Sequence, residues 1–331
     1  MNLRRPLNVL LVAEESAGVQ LLRRLRASEH RVVGVLTSEP DDKEAVRGAT
    51  VWHVANSMDL PILPPRNVRK RSFAAQVERL EVDLLLNVHS LYIVRGEILA
   101  APRIGSFNLH PGPLPRYAGL NSPSWAILHG ETTHGVTIHW MEPGIDTVAI
   151  AYQTMFEIAP DDTGLKVASR CIREGLKLLE RLLDSGARAP AEIPRLEQDA
   201  SQRSYFGRET PFDGALSWDR PAREIEAFVR AADYYPLPSP WGHPFSWLGG
   251  ERLGVVKAGL TGEPSDAPPG TLEQRDPHGR CVACRDEWLA VRLVHRENRY
   301  GEASSLLPAS GKLRDGGAAQ EVKRGDESTR H

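Results

Sequence analysis

The feature that most constrains the fold is a series of short apolar runs separated by segments of helical spacing. The first run, Leu7–Ala13, is almost wholly apolar and is followed by two acidic residues, as is typical of a central parallel strand buried on both faces. Val19–Leu25 and Phe73–Leu80 carry apolar residues at helical spacing. The further predicted strands are Arg31–Thr37, Pro61–Leu63, Val82–Val88 and Gly105–Leu109. This alternation predicts an α/β fold with a doubly wound, mostly parallel sheet.

The pattern changes in the second half of the chain. Pro190–Tyr205 is rich in proline and charge and predicts a linker. Beyond it, short apolar segments between Gly/Pro turns predict a small antiparallel, barrel-like β domain. The predicted organisation is therefore an N-terminal α/β domain at 1–189, a linker at 190–205, a β domain at 206–307 and a disordered tail at 308–331.

Charge and cysteine content exclude several classes. The 41 basic and 43 acidic residues give a formal net charge of −2, which excludes a chain-wide electrostatic grip on a polyanion. Three cysteines are too few for a disulfide framework, and the absence of a long apolar run argues against a membrane span, so we expect a cytoplasmic protein. The turn after the first strand has no G-x-G-x-x-G or P-loop pattern, which argues against a dinucleotide or ATP site.

Two polar residues that could take part in catalysis lie at the end of the fifth predicted strand. Asn108 and His110 stand two apart on an extended segment, so their side chains face the same way. They lie at the carboxyl end of a parallel strand, where open α/β sheets bind ligands. An amide beside an imidazole can stabilise an oxyanion and move a proton. The alternative is that Asn108 caps a turn and that backbone groups satisfy the hydrogen-bonding atoms of His110.

A carboxylate follows the next strand. Gly135–Trp140 alternates buried positions with Thr137 and His139, and Asp146 lies in the Pro/Gly loop after it. A carboxylate there can orient an imidazole and stabilise its cation. The alternative is an ordinary turn aspartate. No zinc-binding histidine pattern is present, so we predict no metal site.

Asn108-x-His110, the loop Leu114–Gly119 (LPRYAG) and Asp146 together resemble the signature of folate-dependent formyltransferases. His129–Met141 resembles the methionyl-tRNA formyltransferase-like branch, which includes natural-product, amino-sugar and amino-acid N-formyltransferases. The similarity spans roughly residues 7 to 295. The resemblance implies an N-formyltransferase that uses 10-formyltetrahydrofolate as formyl donor, with Asn108, His110 and Asp146 as its catalytic residues.

The resemblance also implies two cofactor-binding loops that hold the pterin ring largely through backbone groups. The expected residues are Leu91, Tyr92, Ile93 and Val94 in one loop, and Glu142, Pro143, Gly144, Ile145 and Asp146 in the other. Pro113, Leu114, Arg116 and Tyr117 are expected to contact the acceptor. Trp241, in the aromatic and Pro-rich stretch 231–242, is a further acceptor candidate, with a structural corner as the alternative.

Two positions depart from the family pattern. Val148 stands where the family usually has a small residue, often glycine, so either the loop is shifted or that position needs no positive φ. The segment Ser38–Thr50, where tRNA-specific enzymes carry a basic insertion, has more acidic than basic residues. Because contacts to phosphate need clustered Lys and Arg, nucleic acid is an unlikely partner.

The expected acceptor is the amine or hydroxylamine of a small molecule, or a carrier-bound aminoacyl group, in specialised metabolism. The alternatives are a methionyl-tRNA formyltransferase, a formyltetrahydrofolate hydrolase, and an inactive folate-binding or carrier-docking module. The hydrolases normally carry an N-terminal regulatory domain, whereas this sequence opens at its first catalytic strand. Cys281-x-x-Cys284 lacks a second cysteine pair and lies in an apolar strand, which predicts core packing rather than zinc or redox chemistry.

Overall fold

The computed structural model describes residues 5–40, 49–142 and 146–318 of the chain. These residues form two compact units. The first is formed by the described residues within Met1–Gly119, His134–Phe156 and Ser169–Tyr205, and the second by those within Leu120–Thr133, Glu157–Ala168 and Phe206–His331.

Within the described ranges, no helix is both long enough and apolar enough to span a lipid bilayer.

The first half of the chain contributes a seven-stranded sheet. Its strands are β1 (Asn8–Ala13), β2 (Arg31–Leu36), β3 (Ile62–Leu63), β4 (Leu84–Val88), β5 (Gly105–His110), β7 (Thr133–Trp140) and β8 (Ile150–Glu157). The short strand β6 (Ala118–Gly119) is not part of this sheet. The strand order is β3-β2-β1-β4-β5-β7-β8. The pairs from β3 to β5 are parallel, and β7 is antiparallel to β5. The carboxyl ends of β1, β4 and β5 therefore lie side by side.

Six helices accompany this sheet in the sequence. They are α1 (Ser16–Arg26), α2 (Val51–Ser57), α3 (Phe73–Arg79), α4 (Gly96–Leu99), α5 (Ser122–Leu128) and α6 (Gly164–Arg188). Helix α1 buries Leu21, Leu22 and Leu25 as its spacing predicts, and three arginines in its last turn suit the negative end of the helix dipole. The apolar face of α3 packs Phe73 and Val77 into a cluster with Leu10 of β1 and Leu85 of β4.

The second half forms an antiparallel barrel. Its strands are β10 (Phe245–Leu248), β11 (Glu251–Pro264), β12 (Thr271–Arg275), β13 (Gly279–Ala283), β14 (Glu287–Arg296), β15 (Arg299–Glu302) and β16 (Ser310–Arg314). The second half also contains β9 (Tyr205–Phe206), which is outside this sheet, and the helices α7 (Ala222–Ala231) and α8 (Ala303–Leu306). The order β11-β10-β16-β12-β13-β14 closes on itself because β11 also pairs with β14, and β15 extends β14. The predicted fold class is confirmed.

Strand β16 differs from the prediction of a disordered tail from residue 308. Residues 310–314 form a strand that is hydrogen-bonded to β10 on one side and to β12 on the other. The segment carries a single large apolar residue, Leu313, which is buried in the barrel. A strand is predicted from alternating apolar and polar residues, and a single apolar residue does not establish such an alternation. Residues 319–331 of the predicted tail lie outside the described residues.

The predicted linker 190–205 is packed against the first unit rather than free. Ile150 and Leu196 exchange two backbone hydrogen bonds of 2.8 and 3.0 Å. The Trp140 indole N–H donates to the carbonyl of Pro194 at 2.7 Å, and Ile193 is buried. This segment is held by backbone groups, which hydrophobic periodicity cannot reveal.

Candidate active site

Strand register brings the polar residues of three strands together. Asn87 of β4 is paired with Asn108 of β5, which is paired in turn with His139 of β7. Two pairs further on, His110 lies opposite Thr137. The predicted pair on β5 is therefore flanked on both sides by polar side chains at the carboxyl end of β4 and β5.

Asn108 lies in the middle of a chain of hydrogen bonds. Its Oδ1 accepts from Nδ2 of Asn87 at 3.0 Å, and its own Nδ2 is 3.0 Å from Nε2 of His139. An amide nitrogen carries two hydrogens, so the contact with His139 leaves one of them for a bound group. The amide orientation is thus fixed from both neighbouring strands.

His110 is buried and its ring is oriented by the backbone. Its Nε2 is 2.7 Å from the carbonyl oxygen of Tyr117. Because a carbonyl can only accept, Nε2 carries the hydrogen and Nδ1 faces Oδ2 of Asp146 at 3.5 Å. Burial lowers the pKa of His110, although Asp146 and the Tyr117 carbonyl act in the opposite direction. The imidazole is therefore held neutral next to a carboxylate.

Gly112 makes this orientation possible. A Cβ at this position would stand 2.7 Å from Nε2 of His110 and 2.9 Å from the carbonyl oxygen of Tyr117. Such distances are too short for any side chain, so only glycine lets the histidine ring reach the carbonyl. In the sequence, Gly112 is marked only by its place directly after His110-Pro111.

Asp146 is brought to the two histidines by a strained loop. Its φ is 53°, a left-handed value that is uncommon outside glycine. Its Oδ1 is 3.1 Å from Nε2 of His139, and its Oδ2 accepts from the backbone N–H of Gly119 at 2.9 Å. Burial alone would raise the pKa of Asp146, but His110, His139 and the Gly119 N–H outweigh it and lower the pKa below its usual range. Asp146 is therefore ionised.

The predicted linker supports the Asp146 loop from behind. Nε2 of Gln198 donates to the carbonyl oxygens of Asp146 at 3.1 Å and of Val148 at 2.6 Å. Nη1 of Arg203 donates to the Asp146 carbonyl at 3.1 Å. Val148 itself does not adopt a positive φ. The glycine usual at this position in the family is therefore not required here, and the backbone strain falls on Asp146 instead.

His139 is a site residue that the sequence analysis left without a role. Its Nδ1 donates to the carbonyl of Trp140 at 2.7 Å, and its Nε2 contacts both Asp146 and Asn108. It thereby links Asn108 of β5 to Asp146 in the loop after β7. The signal for it was present, because Thr137 and His139 alternate on the polar face of β7.

The loop after His110 is pinned by β7 and β8. Thr137 Oγ1 donates to the carbonyl of Gly112 at 2.7 Å and accepts from the N–H of Leu114 at 3.2 Å. Gln153 Nε2 donates to the carbonyl of Leu114 at 2.8 Å. Of the predicted acceptor contacts in this loop, Pro113, Leu114 and Tyr117 are buried, and Arg116 is exposed.

The two predicted cofactor loops differ in what they present. Leu91 and Ile93 expose 68% and 67% of their surface, while Tyr92 is half-buried and Val94 is buried. Two exposed large apolar residues in one short loop offer contact area to a flat ring. Glu142 is exposed and paired with Arg195. The predicted residues Pro143, Gly144 and Ile145 lie outside the described residues.

Trp241 lies in the second unit. Its ring is 7% exposed and stands 4.9 Å from that of Trp125, edge to face. It is 6.3 Å from the ring of Phe228. This burial among aromatic rings favours the structural alternative for Trp241.

Comparison with known proteins agrees with this geometry. The family model "Formyl transferase" matches residues 7–183, and "Formyl transferase, C-terminal domain" matches residues 209–305. Among solved structures, the N-formyltransferase from Helicobacter canadensis, in complex with folinic acid and dTDP-3-aminofucose, matches with a TM-score of 0.66 at 20% identity. That match covers 86% of this chain and 99% of that chain.

Two further structures share the fold. WlaRD, a sugar 3N-formyl transferase with dTDP and 5-N-formyl-THF, matches with a TM-score of 0.64 at 17% identity over 89% of this chain and 99% of that one. HypX from Aquifex aeolicus, in complex with tetrahydrofolic acid, matches at 17% identity and a TM-score of 0.59 over 92% of this chain but only 47% of its own. Since the two family models together cover most of the sequence and the predicted trio converges, the chain belongs to the formyl transferase family and is a formyltransferase.

Proposed function

We propose that the chain transfers a formyl group from 10-formyltetrahydrofolate to the amino or hydroxylamino group of an acceptor. The acceptor is a small molecule or a carrier-bound aminoacyl group. The observation that carries the proposal is the convergence of Asn108, His110 and Asp146 within one hydrogen-bonded set. Solved structures of the same fold contain folinic acid, 5-N-formyl-THF and an amino sugar nucleotide, which supports a folate donor and a small amine acceptor.

The residues beside the site suit a folate. The donor supplies an activated formyl carbon, and its pterin is a flat ring with polar edges. Leu91 and Ile93 offer exposed apolar surface at the carboxyl edge of the sheet, directly after β4. Half-buried Tyr92 between them adds an aromatic face. The loop thus provides the area that an extended ring needs.

Asn108, His110 and Asp146 each have a different role in formyl transfer. The free hydrogen of the Asn108 amide donates to the formyl oxygen and stabilises the oxyanion that forms when the amine attacks. His110, neutral before the reaction with its Nε2 hydrogen bonded to the Tyr117 carbonyl, receives the proton that the amine loses on bonding to carbon. Asp146 orients the ring and stabilises the resulting imidazolium. No covalent intermediate on the protein is needed, because the amine attacks the formyl carbon directly.

An acceptor screen tests the proposal. The full chain is incubated with 10-formyltetrahydrofolate and a panel of amines, hydroxylamines and aminoacyl carriers, and products are detected by the mass gain of one formyl group. Formylation of one amine by the native chain and its loss in Asp146→Asn is the expected result. Release of formate at equal rates with and without every amine would instead identify a hydrolase.

Methionyl-tRNA is the main competing acceptor within the family. Within Ser38–Thr50 the acidic residues Glu39, Asp41, Asp42 and Glu44 outnumber the basic residues Lys43 and Arg47. We therefore expect binding to bulk tRNA to be weak near physiological salt. Tight binding with a steep salt dependence would restore tRNA as the acceptor.

A further inference from the structure

A second histidine stands at the carboxyl edge of the sheet, one strand away from His110. Ala13 of β1 pairs with Val88 of β4, and Val88 pairs with Leu109 of β5. The next residues along the three strands bring Glu14–Glu15, His89 and His110 to the same edge. Adjacent strands are about 4.8 Å apart, so His89 is a direct neighbour of His110 on the side away from β7.

His89 is held in a defined orientation by a carboxylate. Its Nδ1 is 3.2 Å from Oε2 of Glu15, the second residue after β1. Because an ionised carboxylate can only accept, Nδ1 carries the hydrogen and Nε2 carries the lone pair. A carboxylate on one ring nitrogen prepares the other to accept a proton.

Among the described residues, the second ring nitrogen of His89 has no hydrogen-bond partner. Nε2 of His89 is buried and makes no hydrogen bond within the described residues. The side chain is 12% exposed, whereas that of Glu15 is 68% exposed. Most buried polar atoms are satisfied, so an orphaned acceptor at a reaction site indicates a ligand that donates a hydrogen.

Backbone strain supports the same conclusion. His89 adopts a φ of 53°, an uncommon value for a residue with a side chain. Such strain persists where the surrounding structure enforces it, commonly at functional sites. His89 also lies near enough to His110 to contribute, together with burial, to lowering the pKa of His110.

We propose that His89, oriented by Glu15, binds the amino group of the acceptor and takes its first proton. This inference rests on the proposed function, because it concerns the amine that function requires. An alkyl amine is mostly protonated at neutral pH and cannot attack in that form. A lone pair backed by a negative charge suits an ammonium group, whereas the pterin of the donor is neutral.

The proton balance is complete with the groups named. The ammonium nitrogen gives one proton to Nε2 of His89, from which it reaches solvent past the exposed Glu15. The neutral nitrogen then bonds to the formyl carbon and loses its second proton to His110. As the bond between that carbon and the donor nitrogen breaks, the donor nitrogen takes the proton from His110.

The test compares two His-to-Asn variants. His89→Asn removes the ring but keeps a residue that tolerates positive φ. His278→Asn is the matched control, because His278 also faces a glutamate, with Nε2 at 3.4 Å from Oε1 of Glu263 in the second unit. The probe is the amine selected by the acceptor screen, with dTDP-3-aminofucose as the first amine tried.

We expect His89→Asn to lower kcat/KM for the amine about 10²- to 10⁴-fold. Binding of 5-formyltetrahydrofolate, measured by calorimetry, should stay within about twofold, and His278→Asn should match the native chain in both measurements. Hydroxylamine, a weakly basic nucleophile that is neutral at pH 7, should be formylated by His89→Asn and native chain at rates within about threefold. Glu15→Gln should reduce kcat/KM for the amine less than His89→Asn does.

Two outcomes would overturn the inference while leaving the proposed function intact. One is a His89→Asn chain that formylates the amine as fast as His278→Asn. The other is an equal loss with the protonated amine and with hydroxylamine, which would mean that His89 does not take the first proton. A native chain that binds the folate but formylates no amine would instead count against the proposed function itself.

Discussion

Buried Asp146 in the first unit and the two buried cysteines of the barrel differ in how burial affects their ionisation. In the first unit, Asp146 is buried yet ionised, because two histidines and a backbone N–H face its oxygens. In the barrel, burial raises the pKa of Cys281 to about 11 and that of Cys284 to about 12, and nearby carboxylates act in the same direction. Burial thus creates a charged, reactive site only where partners are supplied, and otherwise it creates core.

The Asp146 side of this comparison gives the largest expected effect. Asp146→Asn keeps a residue that tolerates a φ of 53° but removes the negative charge between His110 and His139. We expect kcat to fall about 10³- to 10⁴-fold, measured in the formyl-transfer assay with circular dichroism as the folding control. A loss of less than about tenfold would show that the charge is not needed.

The same variant also tests the ionisation of Asp146 through stability. Because the pKa of Asp146 in the folded chain lies below the ordinary 3.8, its contribution is present above that value and is lost as pH falls through the folded pKa. The difference in unfolding free energy between native chain and Asp146→Asn should therefore be larger at pH 7 than at pH 2. Equal differences at both values would contradict a lowered pKa.

The raised pKa values of Cys281 and Cys284 predict that these thiols react slowly with thiol reagents. Raising a pKa from 9.0 to about 11 or about 12 lowers the thiolate fraction at pH 8 about 100- or 1000-fold. Cys171 is buried as well, and burial also raises its pKa. We expect no thiol of the folded chain to react with Ellman's reagent within minutes at pH 8, and all three to react in denaturant. Rapid labelling of the native chain would reopen a redox role for the Cys281–Cys284 pair.

A smaller loss of activity is expected at Gly112, where the site needs room for the His110 ring rather than a charge. Gly112→Ala would place a Cβ 2.7 Å from Nε2 of His110 and displace the ring. We expect kcat to fall about 10²-fold, with the free energy of unfolding changed little. Gly311→Ala in β16 is the control, because its Cβ would meet nothing closer than 3.7 Å. Native activity in Gly112→Ala would mean that His110 can turn without cost.

The smallest effect is expected at the position that departs from the family pattern. Val148→Gly should leave kcat within about twofold, because the backbone of Val148 is not left-handed and strain is carried by Asp146. Its main effect should be a loss of about 0.5–1 kcal/mol in unfolding free energy from the added chain entropy. A marked rise in kcat would indicate that Val148 distorts the loop.

The sequence predicts the trio because strand ends and loops are visible as local patterns. Asn108 and His110 follow from the period of two on β5, and Asp146 from a turn after β7. Gly112 and Gln198 are defined by what they touch across the fold, and no local pattern reports such contacts, whereas His139 was marked by its place on the polar face of β7. Strand β16 has one large buried apolar residue, Leu313, so its pairing with two distant strands also lies beyond a local pattern.

The place of β16 in the barrel has a consequence for synthesis of the chain. It is the last strand of the barrel to be made, yet it separates β10 from β12. Ribosomes add about 5–20 residues per second, so the facing edges of β10 and β12 wait a few seconds for their common neighbour. During that interval both edges can pair with other chains. Nascent chains stalled before residue 310 should therefore bind chaperones and aggregate, whereas those that include residue 314 can close the barrel.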